Sequence, residues 1–375
     1  MNNNYTFICS ECGYEEAPSH SLLQCSSCNS PLNIKYSAHS DSSVYIKHLI
    51  NHKIPLPIDG DFELISLGEG NTPVISLSKL SVELGISISA KLEYLNPTGS
   101  FKDRGSAILI SVLKQYGISA ICEDSSGNAG SSIAAYAAHA GIKTHIFAPE
   151  NAPKSKIEQI KVYGATTHLI PGNRQEATKY AQKFSLETNT TYASHNLSPY
   201  FLEGTKIFAY EVAEQFDFEL PDHIIMPVGN GSLFIGAWQG FNELKSKNII
   251  RKIPKMHCIQ TESIQPIYST YYGINNKKTD NNSTIAGGIA VASPPRINQI
   301  IQVLDISNGH CEVVSEKNIL QWQLILGKAY GLYVEPTAAA AMAGLHKLTQ
   351  NKIIGKNDSV LIPLTGFGLK DKSPI

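Results

Sequence analysis

No stretch of these 375 residues approaches the roughly 20 uninterrupted apolar residues needed to span a bilayer. The start, MNNNYTFICSEC, places no basic segment ahead of an apolar one, so neither a membrane partner nor an export leader is expected and the expected location is cytoplasmic. Net charge is nearly absent: 31 Lys and Arg against 32 Asp and Glu give −1, which leaves no electrostatic footprint for nucleic acid. Residues 1–35 hold one lysine, Lys35, and no arginine. Two nucleotide signatures are missing as well. There is no GxxxxGK[ST], and Gly229, Gly231 and Gly236 neither match GxGxxG nor precede a suitable acidic residue about 20 positions on. Internal repeats and long low-complexity segments are also lacking.

What is present is an ordinary globular composition, 42% hydrophobic and 17% charged, in a chain long enough for two domains. Its seven cysteines are unevenly placed. Cys122, Cys258 and Cys311 are scattered singly in apolar settings, as buried thiols are in a reducing compartment. Cys9, Cys12, Cys25 and Cys28 form CSEC and CSSC, 12 residues apart, each followed by a turn residue, Gly13 or Asn29. Four thiolates at this spacing can close a tetrahedral shell around zinc, and a segment too short to own a core can fold on that metal. With no open coordination position such a zinc would be structural; a disulfide or redox pair is the alternative. His20 and His39 read as surface histidines.

From about residue 60, short β-branched runs alternate with amphipathic or alanine-rich stretches, which predicts α/β layers around mostly parallel sheets. The expected strands are AKLEYL, THIFAPE, THLIPG, HIIMPVG, HCIQTE and SVLIPLTG. Expected helices include those beginning at Arg104, Asn128, Ser155, Glu176, Leu202, Glu316 and Pro336, several stopping at a glycine such as Gly117, Gly141, Gly164 or Gly331. NNKKTDNNST, residues 275–284, reads as a polar loop.

In such sheets ligands collect where strands end and helix N-termini begin. Three small-residue loops qualify: EDSSGNAGSS (123–132), PVGNGSLFIG (227–236) and PLTGFGLKD (363–371). In the second, Gly229 and Gly231 let the backbone fold around an anion and Ser232 adds a hydroxyl, so phosphate is the natural guest. A fourth segment, NPTGSFKDRG (96–105), sets Lys102 near a helix start. The helix dipole and partial burial both oppose its charge, favouring the neutral amine that forms a Schiff base.

NPTGSFKDRG, SSGNAG, PVGNGS, VEPTAAAA and LTGFGLKD, in that order and preceded by LGEGNTP at 67–73, resemble threonine synthase and its relatives among fold-type II pyridoxal phosphate enzymes over roughly residues 60–372. An N-terminal zinc ribbon also occurs in some of them. The resemblance implies two open α/β domains of the tryptophan synthase β-like architecture plus a small ribbon. The ribbon would span 1–36, a large cofactor-binding domain 60–105 with 200–375, and a small domain 106–199.

The resemblance further implies that Lys102 is the catalytic lysine and carries pyridoxal 5'-phosphate as a Schiff base, positioned by Phe101 and Asp103. Asn128 would bond the cofactor's phenolic oxygen. Ser125, Ser126, Gly127 and Ala129 would receive the substrate carboxylate. Gly229, Asn230, Gly231, Ser232 and Leu233 would hold the cofactor phosphate, and Thr365 would face the pyridine nitrogen. A neutral Thr365 makes a weaker electron sink than a carboxylate would, which favours eliminations and replacements. The implied reaction converts O-phosphohomoserine and water to threonine and phosphate in a cytoplasmic homodimer with structural zinc.

Two features depart from the pattern. Phe367 stands where threonine synthases usually have the histidine of TGHGLKD, and GGIAVASPPR (287–296) starts more like dehydratase-type relatives. A threonine or serine dehydratase or a β-replacement enzyme is therefore the alternative. Arg104, Lys206 and Arg296 are candidates for a substrate phosphate, and His195 and Asn196 for reaching the active site.

Overall fold

A computed structural model describes residues 4–37, 43–44, 54–58, 62–274, 283–371 and 374–375; His39 and residues 275–282 lie outside them. The chain divides into two compact units, one of residues 1–70 with 96–207, the other of 71–95 with 208–375. No helix among the described residues is long and apolar enough to cross a membrane.

The first unit opens with a three-stranded antiparallel sheet in which Tyr5–Cys9 lies between Glu15–Glu16 and Leu32–Tyr36. The rest of the unit is layered around a four-stranded parallel sheet in the order Thr166–Ile170, Lys143–Pro149, Ala120–Glu123, Thr191–Tyr192. Two of these strands were not foreseen from the sequence, because AICE and TY are too short to show a period.

The second unit holds a six-stranded sheet: Cys311–Val314, Lys255–Thr261, His223–Pro227, Ser359–Pro363, Ser87–Lys91 and Val74–Ser76, parallel except for the last. Its core surrounds the helix Pro336–Gln350, whose Ala338–Ala341 are fully buried. Small side chains let this helix lie close to the sheet: a Cβ on Gly344 would stand 2.3 Å from Ile259.

Most expected elements are present, with shifts at their ends. AKLEYL leaves its strand at Lys91 and closes as a 3-10 turn, Glu93–Leu95. The helix expected from Glu176 begins at Arg174 because the Asn173 side chain accepts from the amides of Gln175 and Glu176. The helix expected from Leu202 begins at Pro199, whose missing N–H is no loss in a first turn.

Candidate active site

The residues singled out from the sequence divide between the two units. In the first, Lys102 is the opening residue of the helix Lys102–Gln115. The turn ahead of it is closed by Asp103, which accepts from the Thr98 amide at 2.7 Å and the Thr98 hydroxyl at 2.5 Å, while Gly99 takes the left-handed conformation at φ 85°. Lys102 Nζ stands 4.9 Å from the ring centroid of Phe101 and 5.4 Å from that of Phe201, within cation–π range. Phe201 comes this close because residue 105 is glycine; a Cβ there would lie 2.4 Å from the ring.

Asn128 is likewise the first residue of its helix, Asn128–His139, and Ser125, Ser126 and Gly127 form the loop leading into it. Gly130 holds the loop against the helix, since a Cβ there would sit 1.9 Å from the Ser125 carbonyl. One turn into each helix, the Ser132 hydroxyl donates to that of Ser106 at 2.7 Å. This contact ties the lysine helix and the Asn128 helix together just behind their N-termini, where the helix dipoles favour anions.

Two residues beside this loop form a pair that went unnoticed in the sequence. Glu123 ends its strand, and its Oε1 is in hydrogen-bond contact with His195 Nδ1; both side chains are almost fully buried. Burial, then neighbouring Asp124, holds the Glu123 carboxyl well above the usual range. Burial, then the charges of Lys102 and Arg174, holds His195 well below its own. A pair of carboxylates closing an apolar strand, ICED, was the available signal. Of the phosphate candidates, Lys206 is buried against Glu203 Oε2 at 2.6 Å and the Pro55 carbonyl at 2.9 Å. Arg296 donates to Gln299 Oε1 at 2.8 Å inside the second unit.

In the second unit Gly231 caps the helix Ser232–Ser246 with φ 82°, and Asn230, Ser232 and Leu233 flank it. The glycines here have no room for a side chain. A Cβ on Gly231 would meet Ile300 at 2.6 Å, and one on Gly229 would meet the Gly288 carbonyl and Ile289 at 3.1 Å. The GGIAV segment thus packs on the glycine loop. Gly288 in turn donates its amide to Thr337 Oγ1 at 2.9 Å. VEPTAAAA is then tied to LTGFG, because the Glu335 amide donates to the Gly366 carbonyl at 3.0 Å and the Gly368 amide to the Tyr333 carbonyl at 3.0 Å. Contacts therefore run through four separate segments to Thr365, whose hydroxyl is buried without a hydrogen-bond partner. An orphaned hydroxyl and a glycine-capped helix N-terminus fit a group offering a ring nitrogen and a phosphate.

The ribbon brings its four thiols together. Cys9 and Cys28 Sγ are 3.4 Å apart, Cys12 and Cys25 Sγ 3.7 Å, and all four lie within 4.8 Å of one another with no disulfide formed. Such spacing is close to the edges of a tetrahedron whose centre holds zinc at about 2.3 Å from each sulfur. His20 instead lies against Tyr116 and Thr191.

A profile of the family described as "Pyridoxal-phosphate dependent enzyme" matches residues 65–366. The chain is 33% identical to a threonine synthase of Methanocaldococcus jannaschii over 323 residues, 84% of this chain and 79% of the relative. It is 31% identical to one of Methanosarcina acetivorans over 380 residues, 99% and 93% of the two chains. Among solved structures, a fungal L-serine ammonia-lyase from Rhizomucor miehei superposes with a TM-score of 0.71 at 20% identity, covering 80% of this chain and 94% of that one.

Proposed function

The chain belongs to the pyridoxal-phosphate dependent enzyme family, and on that premise we propose that it is a threonine synthase, a lyase that converts O-phosphohomoserine and water to threonine and phosphate. The observation that carries this reading is the length over which the chain follows two threonine synthases, in one case from end to end.

In this reading Lys102 would hold the cofactor aldehyde, Asn128 would donate to the phenolic oxygen, the amides of Gly229 to Leu233 would hold the phosphate and Thr365 would meet the pyridine nitrogen. Pyridoxal phosphate, when bound, supplies an electron sink for the bond broken at the substrate α-carbon. The remaining work falls to the protein. Ser125, Ser126, Gly127 and Ala129 receive the substrate carboxylate at a helix N-terminus, which fixes the α-hydrogen in one direction. The Lys102 amine takes that proton at Nζ and returns it later. Phe101 and Phe201 present ring faces to the amine and tolerate its charged form. Thr365 cannot carry a negative charge, so opposite a ring nitrogen it would support protonation less than a carboxylate would, which would suit chemistry in which a leaving group departs.

We further assign structural zinc to Cys9, Cys12, Cys25 and Cys28, a cytoplasmic location in keeping with the buried free thiols of Cys122, Cys258 and Cys311, and a homodimeric assembly. The test is to supply O-phosphohomoserine and follow phosphate and threonine together, with threonine and serine as rival substrates. Stoichiometric phosphate and threonine support the assignment. A 2-oxo acid from threonine or serine with no phosphate release would move it to a dehydratase. In Lys102→Ala the visible absorption band and its borohydride sensitivity should disappear.

A further inference from the structure

Glu123 and His195 lie 72 positions apart but leave adjacent parallel strands at the same end. Tyr192 is in register with Cys122, and the Ala193 amide continues the ladder to the Cys122 carbonyl at 2.8 Å. That edge is where the loop to Asn128 begins. Glu123 Oε1 meets His195 Nδ1, whereas Glu123 Oε2 is buried with no hydrogen-bond partner. Neighbouring Asp124 is arranged differently, for its oxygens accept from the hydroxyls of Tyr192, at 2.9 Å, and Thr178. The His195 ring stands edge-on to Phe201, centroids 6.0 Å apart at 69°, and Phe201 is the ring that also faces Lys102 Nζ at 5.4 Å.

A carboxylate with one bare oxygen in a dry site is costly, and so is an imidazolium facing two cations. The arrangement that avoids both is one proton shared by the two groups, giving a pair with no net charge. We propose that Glu123 and His195 are a positioning pair that governs the protonation of Lys102: while they share a proton the wall beside the lysine is uncharged, and when that proton leaves, a negative charge appears there. This rests on the pyridoxal phosphate reading and extends it. An uncharged wall favours the neutral amine, the form that attacks an aldehyde and accepts a proton. A charged wall holds the lysine nitrogen protonated. Only O–H and N–H bonds change, and the proton lost goes to solvent.

The charged and titratable groups facing the pair are Lys102 from its helix, Arg174 from the helix Arg174–Thr188, Asp124 from the same strand end and Tyr192 from the neighbouring strand. Burial and Asp124 oppose loss of the proton from Glu123, while Arg174 and Lys102 promote it.

The experiment follows the cofactor's visible band against pH in holoenzyme of the wild type, Glu123→Gln, His195→Gln and Thr178→Val, with thermal melts confirming folding. Glu123→Gln cannot become negative, so its band should titrate about one pH unit lower than the wild type. His195→Gln leaves a carboxyl that can still ionise and no imidazole to share its proton, so its band should not move to lower pH. Thr178→Val removes a hydroxyl that donates to Asp124 and to the Arg174 carbonyl but changes no charge, and should titrate close to the wild type. A wild-type midpoint in folded Glu123→Gln, a shift to lower pH in folded His195→Gln, or a Thr178→Val shift equal to that of Glu123→Gln would overturn the proposal. A wild-type band that persists in Lys102→Ala would instead sink the cofactor reading, and the pairing with it.

Discussion

The rings of Tyr94 and Phe367 stack with centroids 5.3 Å apart and planes 5° from parallel. Phe367, the residue that departs from the threonine synthase pattern, is thereby engaged in packing, half-buried against the core of the second unit. Phe367→His should lower stability by about 1 kcal/mol, the order of an aromatic pair, while leaving threonine formation within severalfold of the wild type. Urea unfolding alongside the phosphate-release assay checks both. A large loss of rate at unchanged stability would mean the ring has a chemical role.

Lys91 and Glu211 form a fully buried ion pair, Nζ to Oε1 2.5 Å, and Glu211 also accepts from the amides of Asn71 and Thr72 at 2.8 and 2.9 Å. Removing one partner strands the other charge. Glu211→Ala should cost about 3–5 kcal/mol in denaturant unfolding, and the Lys91→Met, Glu211→Leu double variant should recover much of that loss.

Acid should destabilise the second unit through a chain of histidines. The His310 amide donates to His257 Nδ1 at 3.1 Å, so His257 must donate from Nε2 to His223 Nδ1 at 2.8 Å, and His223 Nε2 then faces Asp358 at 3.2 Å. Burial holds His257 well below the usual imidazole range and His223 below it, with Asp358 opposing the shift on His223. Both native histidines resist protonation that the unfolded chain accepts. Stability is therefore full above about pH 6.5 and falls as pH drops below it, by up to roughly 1.4 kcal/mol per pH unit for each group. His257→Asn should flatten the slope of melting temperature against pH between 6.5 and about 5; an unchanged slope would assign the acid sensitivity elsewhere.

Gly231→Ala meets two penalties, a left-handed φ of 82° and a Cβ 2.6 Å from Ile300. The variant should lose about 1–2 kcal/mol of stability and bind pyridoxal phosphate more weakly, read by titrating the apoenzyme. Unaltered affinity would argue against this loop as the phosphate cradle.

Metal analysis of protein purified without chelator should find about one zinc per chain, falling to near none in Cys25→Ser. Strong chelation should release four reactive thiols together with the metal. Zinc retained in Cys25→Ser would rule out a four-thiolate site.

The lysine turn, the SSGNAG loop and the glycine loop were legible because each is a local arrangement, a few small residues ahead of a periodic helix. The lone hydroxyl of Thr365 needed the resemblance, since a threonine after an apolar strand has no pattern of its own. The Glu123–His195 pair was beyond local reading because the meeting depends on strands of four and two residues placed side by side. His195 drew notice for its segment alone; its partner did not. The link from the glycine loop through Gly288 and Thr337 to Gly366 was equally hidden, since glycine spacing does not say which backbone comes close.

One turn of the helix Pro199–Gln215 faces two neighbours. Tyr200 packs against Tyr5 and Phe7 of the ribbon, and Glu203 accepts from the Tyr36 hydroxyl at 2.6 Å. Phe201 and Gly204 press on the lysine helix, where a Cβ on Gly204 would stand 2.1 Å from the Arg104 carbonyl. The ribbon is therefore no detachable module. A chain trimmed of it would open an aromatic face and the Glu203–Lys206 pair to water, one residue away from the ring that shelters Lys102.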